Sequence, residues 1–250
     1  MQTGQIEKFS WHERELTIYL PPSYQRKKSK QYPAVIVQDG GYLFLESVQE
    51  IEKNIHDQIT EEIIFVGITS LNRDQEYTPW KMEDSAGNCY GGGNADAYIT
   101  MLVQKLLPFL RRNYRISYQK TDIGMAGASF GALVSLYALF KESEYFSKFC
   151  LLSPSLWYEN FIHFVEQQPD LEHETKVFMY VGKREGKDRD NALKLMVPNN
   201  KIAYKLLQTK LVHQASDITM MTEENGEHLH SFFITYFPKA VRFLFPKMSE

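Results

Sequence analysis

Residues 123–131 of this 250-residue chain read Ile-Gly-Met-Ala-Gly-Ala-Ser-Phe-Gly, and the prediction of the fold starts from this segment. The apolar run from Ile123 to Ala126 predicts a buried strand. Residues 130–140 are apolar almost all round and predict a helix packed against the centre of a sheet. Between them stands Gly127-Ala128-Ser129-Phe130-Gly131, which favours a sharp strand-to-helix turn that lifts the serine oxygen above the sheet edge. An ordinary glycine-rich turn is the alternative interpretation.

Short apolar runs alternate with longer helical patterns on both sides of this stretch. Continuous apolar runs are typical of strands buried on both faces of a parallel sheet. Such strands are predicted at 34–37, 63–68, 149–152, 177–181 and 218–221, after an antiparallel pair at 5–9 and 13–20. Helices are predicted from Asn94 to Leu110, with Pro108 kinking or shortening the first, and over 191–212 and 230–245. We therefore expect a mostly parallel, doubly wound α/β sheet with helices on both faces, in a single domain over 1–250.

Composition and charge exclude several classes of protein. The net charge of −3 argues against a nucleic-acid binder, and the one basic cluster, 26–30, reads as a solvated loop. Two cysteines, Cys89 and Cys150, do not suggest a disulfide framework. The N-terminus lacks the pattern of a secretion signal, and no apolar run reaches the ~18 residues of a membrane span. These features predict a cytoplasmic protein with neither a membrane nor a nucleic-acid partner.

A serine hydroxyl needs a base before it becomes a good nucleophile. When the serine stands on a strand-to-helix turn of this kind, the acid and then the histidine follow it along the chain, each after a later strand. His228 follows the last predicted strand, and Gly226 favours a turn just before it, so His228 is the predicted base. His230 is interpreted as a pocket residue or as part of the final helix. A zinc site on His228 and His230 lacks an evident third ligand, and no metal is predicted.

The acidic partner should follow the predicted strand 177–181. Glu185, Asp188 and Asp190 all qualify by position, and each of them singly could also be a solvated loop charge. The residues alone leave this choice open.

Several further segments resemble, in order, the enterochelin esterase and esterase-D-like family of α/β-hydrolases. Residues 16–24 and 32–40 are similar to its first strands, and Arg73 with Tyr77-Thr78-Pro79 is similar to its arginine-and-proline loop. Ser153-Pro154-Ser155-Leu156-Trp157 is similar to its segment beyond the strand that follows the serine turn. The resemblance extends over nearly the whole chain, and the family has the α/β-hydrolase fold.

The resemblance implies roles for five residues. Ser129 is the nucleophile, His228 the base and Glu185 the acid, and the amides of Phe130 and Gly41 hold the oxyanion. The implied reaction is ester hydrolysis through an acyl-enzyme, with a small-molecule ester as substrate and no cofactor. Family members act on siderophore trilactones, thioesters such as S-formylglutathione and acylated carbohydrates. The details here resemble the siderophore branch, while an acyltransferase, a thioesterase and a non-catalytic binding protein remain alternatives.

The residues around the predicted cleft bear on its substrate. The strand ending near Ser153 and the one starting near Thr175 are only 22 positions apart, which leaves room for one short helix and no large lid. We therefore expect an open cleft suited to bulky polar esters. Arg73 orients an anionic or catecholate group of the substrate, or alternatively forms a salt bridge that stabilises its loop. Trp157 is predicted to line the cleft.

Overall fold

A computed structural model describes residues 3–83, 87 and 89–247, and these residues form two sheets. Eight strands belong to the main sheet and two to a small hairpin. The strands are β1 (Gln5–Trp11), β2 (Arg14–Leu20), β3 (Ala34–Val37), β4 (Ile64–Ile68), β5 (Met82–Glu83), β6 (Cys89–Tyr90), β7 (Ile123–Ala128), β8 (Lys148–Leu152), β9 (Lys176–Gly182) and β10 (Asp217–Glu223).

The main sheet has the order β1-β2-β4-β3-β7-β8-β9-β10. The pairs β1–β2 and β2–β4 are antiparallel, and every pair from β4 to β10 is parallel. The carboxyl ends of β3, β4, β7, β8, β9 and β10 therefore meet at one edge of the sheet. In open α/β sheets this edge is where ligands bind.

Helices connect the strands and cover both faces of the sheet. They are α1 (Tyr42–Glu46), α2 (Val48–His56), α3 (Arg73–Glu76), α4 (Ala95–Met101), α5 (Leu107–Asn113), α6 (Phe130–Lys141), α7 (Phe161–Gln167), α8 (Met196–Lys210) and α9 (His230–Leu244). Short 3₁₀ turns occur at Asp39–Gly41, Lys120–Asp122 and Ala192–Leu195.

Successive strand residues point into two separate cores. Ile36 and Met125 pack on the side of α4 to α8, whereas Val35 and Ala126 pack on the side of α1, α2 and α9. Strands sandwiched in this way have no polar face, which explains the uninterrupted apolar runs. The predicted doubly wound sheet with an antiparallel N-terminal pair is confirmed.

Pro108 does not shorten the helix, and the turn before it is widened. A π-helical turn at Leu102–Leu106 joins α4 to α5, and Pro108 falls in the first turn of α5. A proline has no N–H to donate and its ring crowds the turn before it, and here that turn is π-helical. The helical path continues to Asn113 without a break.

The connection between β8 and β9 determines how open the sheet edge is. Between β8 and β9 the chain forms a single helix, the seven-residue α7, so the prediction of no large lid is confirmed.

No helix within the described ranges is both long and apolar enough to cross a membrane.

Candidate active site

The turn at Ser129 is strained in the manner expected of a serine presented to substrate. β7 ends at Ala128, α6 begins at Phe130, and Ser129 between them has φ 56° and ψ −121°. A non-glycine residue adopts this conformation only when its surroundings enforce it. A Cβ on Gly127 would lie 2.4 Å from the carbonyl carbon of Gly131, so only glycine allows the helix to begin this close to the strand.

The hydroxyl of Ser129 opens into a cleft of about 380 Å³ at the carboxyl edge of the sheet. Its lining residues are Arg73, Ser129, Phe130, Ser155, Trp157, Glu185, Gly186, Arg189, Leu193, Met196 and His228. Ser129 Oγ lies 3.0 Å from Ser155 Oγ. The described contacts of Ser129 include no hydrogen bond to His228, so the two side chains share the cleft without being joined.

Glu185 and His228 form a direct pair. His228 Nδ1 lies 2.7 Å from Glu185 Oε2, and the Glu185 side chain has no solvent exposure. The other carboxylate oxygen, Oε1, accepts hydrogen bonds from the Gly182 amide at 2.8 Å and the Ser153 hydroxyl at 2.6 Å. A carboxylate only accepts, so Nδ1 donates to Glu185, and this contact favours the tautomer in which Nε2 is the acceptor.

The loops carrying Glu185 and His228 are packed backbone against backbone. A Cβ on Gly182 would lie 2.4 Å from the carbonyl carbon of Gly226, and one on Gly226 would lie 2.7 Å from Gly182 Cα. The Arg184 amide also donates to the Gly226 carbonyl at 2.9 Å. This close approach brings the imidazole to the carboxylate.

The other candidates for the acid do not contact the imidazole in the described structure. Asp188 and Asp190 are exposed, and neither makes a hydrogen bond to His228 in the described part of the chain. Of the three acidic residues left open by the sequence, Glu185 is the one that contacts the imidazole.

His230 is separate from this pair. Its ring packs on Tyr42 at 4.4 Å between ring centroids, and Nε2 lies 3.5 Å from Glu46. Throughout residues 3–83, 87 and 89–247, no three His, Cys, Asp or Glu side chains are placed to hold a metal ion.

Arg73 bridges two elements of the site. It forms hydrogen bonds to both carboxylate oxygens of Asp39, at 2.8 and 3.2 Å, and to the carbonyl of Ala128 at 3.3 Å. Burial alone would lower the pKa of Arg73, but the ion pair with Asp39 outweighs it and raises that pKa. The Arg73 guanidinium therefore forms a salt bridge, as in the alternative to substrate binding. It also lines the cleft.

Of the two residues predicted to hold the oxyanion, Phe130 lines the cleft and Gly41 is not among its described lining residues. Phe130 is the first residue of α6, where amide groups lack intrahelical acceptors and the helix dipole is positive. Gly41 ends the 3₁₀ turn after β3 with φ 86°, and it is not among the described residues that line the cleft.

Trp157 lies in the cleft wall, as predicted, with its ring 5.7 Å from that of Phe130, measured between centroids.

Ser153 and Ser155 contact Glu185 and Ser129, respectively, although the sequence interpretation gave them no role. Both follow β8, the strand next to β7, and this adjacency is the signal that could have identified them.

Comparisons with known proteins agree with this architecture. A family model described as "Putative esterase" matches residues 10–244. The chain is 30% identical over 248 residues to the uncharacterized protein YbbA of Bacillus subtilis, covering 98% of this chain and 97% of that protein. It is 26% identical over 149 residues to a siderophore enterobactin esterase of Emericella nidulans, covering 52% of this chain and 48% of that one. The fold matches the crystal structure of an IroE-like serine hydrolase from Shewanella oneidensis with a TM-score of 0.77 at 22% identity, covering 97% of this chain and 80% of that one.

Proposed function

The chain belongs to the esterase family whose model matches residues 10–244, and we propose that it hydrolyses esters through an acyl-enzyme formed on Ser129. Membership of this family makes it a carboxylic ester hydrolase that acts on small-molecule esters. One observation carries the proposed mechanism. The buried Glu185 carboxylate contacts His228 Nδ1 at 2.7 Å, in the same cleft that Ser129 lines from its strained turn.

In the first step, Ser129 Oγ attacks the ester carbonyl and forms a tetrahedral intermediate. His228 Nε2, which is the free acceptor of the ring, takes the serine proton. The positive charge that develops on the imidazole is stabilised by Glu185, which also holds the ring in the required tautomer. The Ser129 hydroxyl must rotate from Ser155 toward His228 for this transfer.

The oxyanion needs donors that are already in place when the negative charge forms. The Phe130 amide supplies one donor from the first turn of α6, and the Gly41 amide is proposed as the second. His228 then protonates the leaving alcohol, water attacks the acyl-enzyme by the same route, and the carboxylic acid is released. No step requires a metal or an organic cofactor.

The proposed substrates are siderophore trilactone-type esters or other bulky polar esters. The short β8–β9 connection leaves the cleft open, which favours large substrates over those that fit a closed tunnel. The local similarity to a siderophore enterobactin esterase supports the same choice.

Hydrolysis of p-nitrophenyl acetate by the wild type and by Ser129→Ala tests the mechanism. We expect the variant to lose turnover by at least about 10³-fold while unfolding at the same temperature as the wild type. Wild-type turnover in a folded Ser129→Ala protein would overturn the proposal. A panel of trilactone siderophores, acylated sugars, S-formylglutathione and simple acetates then identifies the substrate class.

A further inference from the structure

The segment Ser153–Trp157, which leaves the carboxyl end of β8, touches three parts of the site with alternate residues. Ser153 donates to Glu185 Oε1 at 2.6 Å, Ser155 Oγ lies 3.0 Å from Ser129 Oγ, and Trp157 packs on Phe130. One short segment therefore contacts the acid, the nucleophile and the wall of the cleft.

Ser155 is bound to residue 129 by both its backbone and its side chain. Its amide donates to the Ser129 carbonyl at 3.3 Å, in addition to the contact between the two hydroxyls. The residue is 1% exposed, and the described hydrogen bonds of its hydroxyl lead only to Ser129. A buried hydroxyl retains its partner because losing it leaves a polar group unsatisfied.

Helix α8 holds this segment from behind. Asn200, which is fully buried, donates from Nδ2 to the Pro154 carbonyl at 3.0 Å, and Asn199 donates to the Leu156 carbonyl at 2.7 Å. The carbonyls on either side of Ser155 are thus anchored. These bonds hold the backbone on both sides of Ser155.

We propose that Ser155 is a positioning residue that donates a hydrogen bond to Ser129 Oγ in the reactive state; this inference rests on the proposed function. Either hydroxyl can donate across the 3.0 Å contact at rest. Once the Ser129 proton points to His228, however, only Ser155 has a hydrogen left to donate. That bond orients Oγ and leaves one of its lone pairs free for attack on the carbonyl.

Ser155→Ala and Ser155→Cys test the proposal together, with Ser147→Ala as the control. Cysteine fills the space of the serine but is a weak donor, so it separates loss of the hydrogen bond from loss of packing. Ser147 is equally buried, and its hydroxyl has no hydrogen-bond partner in the described structure, so its removal breaks no such bond. The readouts are kcat and KM for p-nitrophenyl acetate, the rate of labelling by a fluorophosphonate, and the pH profile of kcat/KM.

Both Ser155 variants should lose about 3- to 10-fold in kcat and in labelling rate, the value of one neutral hydrogen bond. KM should stay within about twofold of the wild type, and the acid limb of the pH profile should not move, because the contact between His228 and Glu185 is intact. Ser147→Ala should behave as the wild type.

Two outcomes would overturn the inference. The first is a kcat and a labelling rate equal to those of the wild type in either Ser155 variant. If Ser155→Cys alone kept both rates, Ser155 would only fill space. The second is a loss confined to KM. Failure of the proposed function is distinguishable, because Ser129→Ala would then retain turnover.

Discussion

The backbone at Ser129 lies in a region that costs a non-glycine residue about 1–3 kcal/mol. Its surroundings hold it there, since the Ser129 amide donates to the Leu152 carbonyl at 3.0 Å and Gly127 packs directly on Gly131. The strain points the hydroxyl out of the sheet toward the cleft.

Removing the charge of the acid should reveal which carboxylate serves His228. We expect Glu185→Gln to lower kcat for p-nitrophenyl acetate by at least about 100-fold, because the amide neither stabilises the imidazolium nor fixes the tautomer. Asp188→Asn is the matched control, since Asp188 is exposed, and it should stay within twofold of the wild type. A larger loss in Asp188→Asn than in Glu185→Gln would contradict the proposed assignment.

The sequence could not choose among Glu185, Asp188 and Asp190, because all three fall in one loop after a buried strand. Their burial separates them, and burial depends on the close approach of Gly182 to Gly226 from another part of the chain. The order of the motifs indicated Ser129 and His228 because each follows a strand that the apolar pattern predicts. The catalytic roles of Ser129, His228 and Glu185 remain predictions.

Helix α3, which carries Arg73, is anchored to β2 by an ion pair. Arg14 on β2 donates to both oxygens of Glu76 on α3, with Nη1 to Oε2 at 2.8 Å. Burial alone would raise the pKa of Glu76, but the hydrogen bonds from Arg14 and Ser70 and from the Leu71 amide outweigh it and lower that pKa.

A carboxylate with a lowered pKa stabilises the folded state above its ordinary pKa, and the stabilisation is lost as the pH falls below that value. We expect Glu76→Gln to reduce the free energy of unfolding by about 2 kcal/mol at pH 7, because it leaves the Arg14 guanidinium without its carboxylate. The difference from the wild type should shrink as the pH falls below about 4.5, the ordinary pKa of the glutamate. Denaturant unfolding at pH 7 and at pH 3.5 measures both values, and an equal difference at the two pH values would rule out this account.

The loop before His228 should tolerate no side chain at position 226. A Cβ there would lie 2.6 Å from the Tyr180 hydroxyl and 2.7 Å from Gly182 Cα, so the loop must shift. We expect Gly226→Ala to lower kcat about tenfold or more, because the shift moves His228 relative to Glu185. Steady-state kinetics check this expectation, and an unchanged kcat would show that the close approach does not position the imidazole.

The buried strands were predictable because an uninterrupted apolar run indicates a buried strand even when the elements that pack against it are unknown. Helices α1 and α2 were not predicted. They are five and nine residues long and meet at Ser47, and helices this short depend on packing, here against α9. The π-helical turn before Pro108 was also missed, since the sequence records the proline but not how the preceding turn widens around it.

Beside the cleft lies a groove of about 620 Å³ with mainly apolar walls, which include Phe161, Ile162 and Leu195. Trp157 and Leu193 line both spaces. Esters with a longer apolar arm should therefore react better than acetates, since each methylene that becomes buried contributes up to about 0.8 kcal/mol. The expected result is a several-fold rise in kcat/KM from p-nitrophenyl acetate to the hexanoate.

A groove variant shows whether that preference arises there. Leu195, which is 40% exposed, lines the groove but not the cleft. Leu195→Ser should reduce the ratio of hexanoate to acetate turnover. A ratio equal to that of the wild type would place the apolar arm elsewhere.

The match of the family model to residues 10–244 confirms the resemblance inferred from the sequence segments. The chain segments that follow β4, β7, β8, β9 and β10 line the cleft, and this brings together residues that are up to 155 positions apart, from Arg73 to His228. The single domain expected from the length of the chain remains a prediction.

Mass spectrometry of the protein after reaction with a fluorophosphonate tests most directly whether Ser129 is the nucleophile. Cleavage with trypsin separates residues 121–141, which contain Ser129, from residues 149–176, which contain Ser153 and Ser155. The proposed mechanism predicts one adduct, on Ser129, that disappears in Ser129→Ala. An adduct on another residue, or none on a folded wild-type protein, would contradict it.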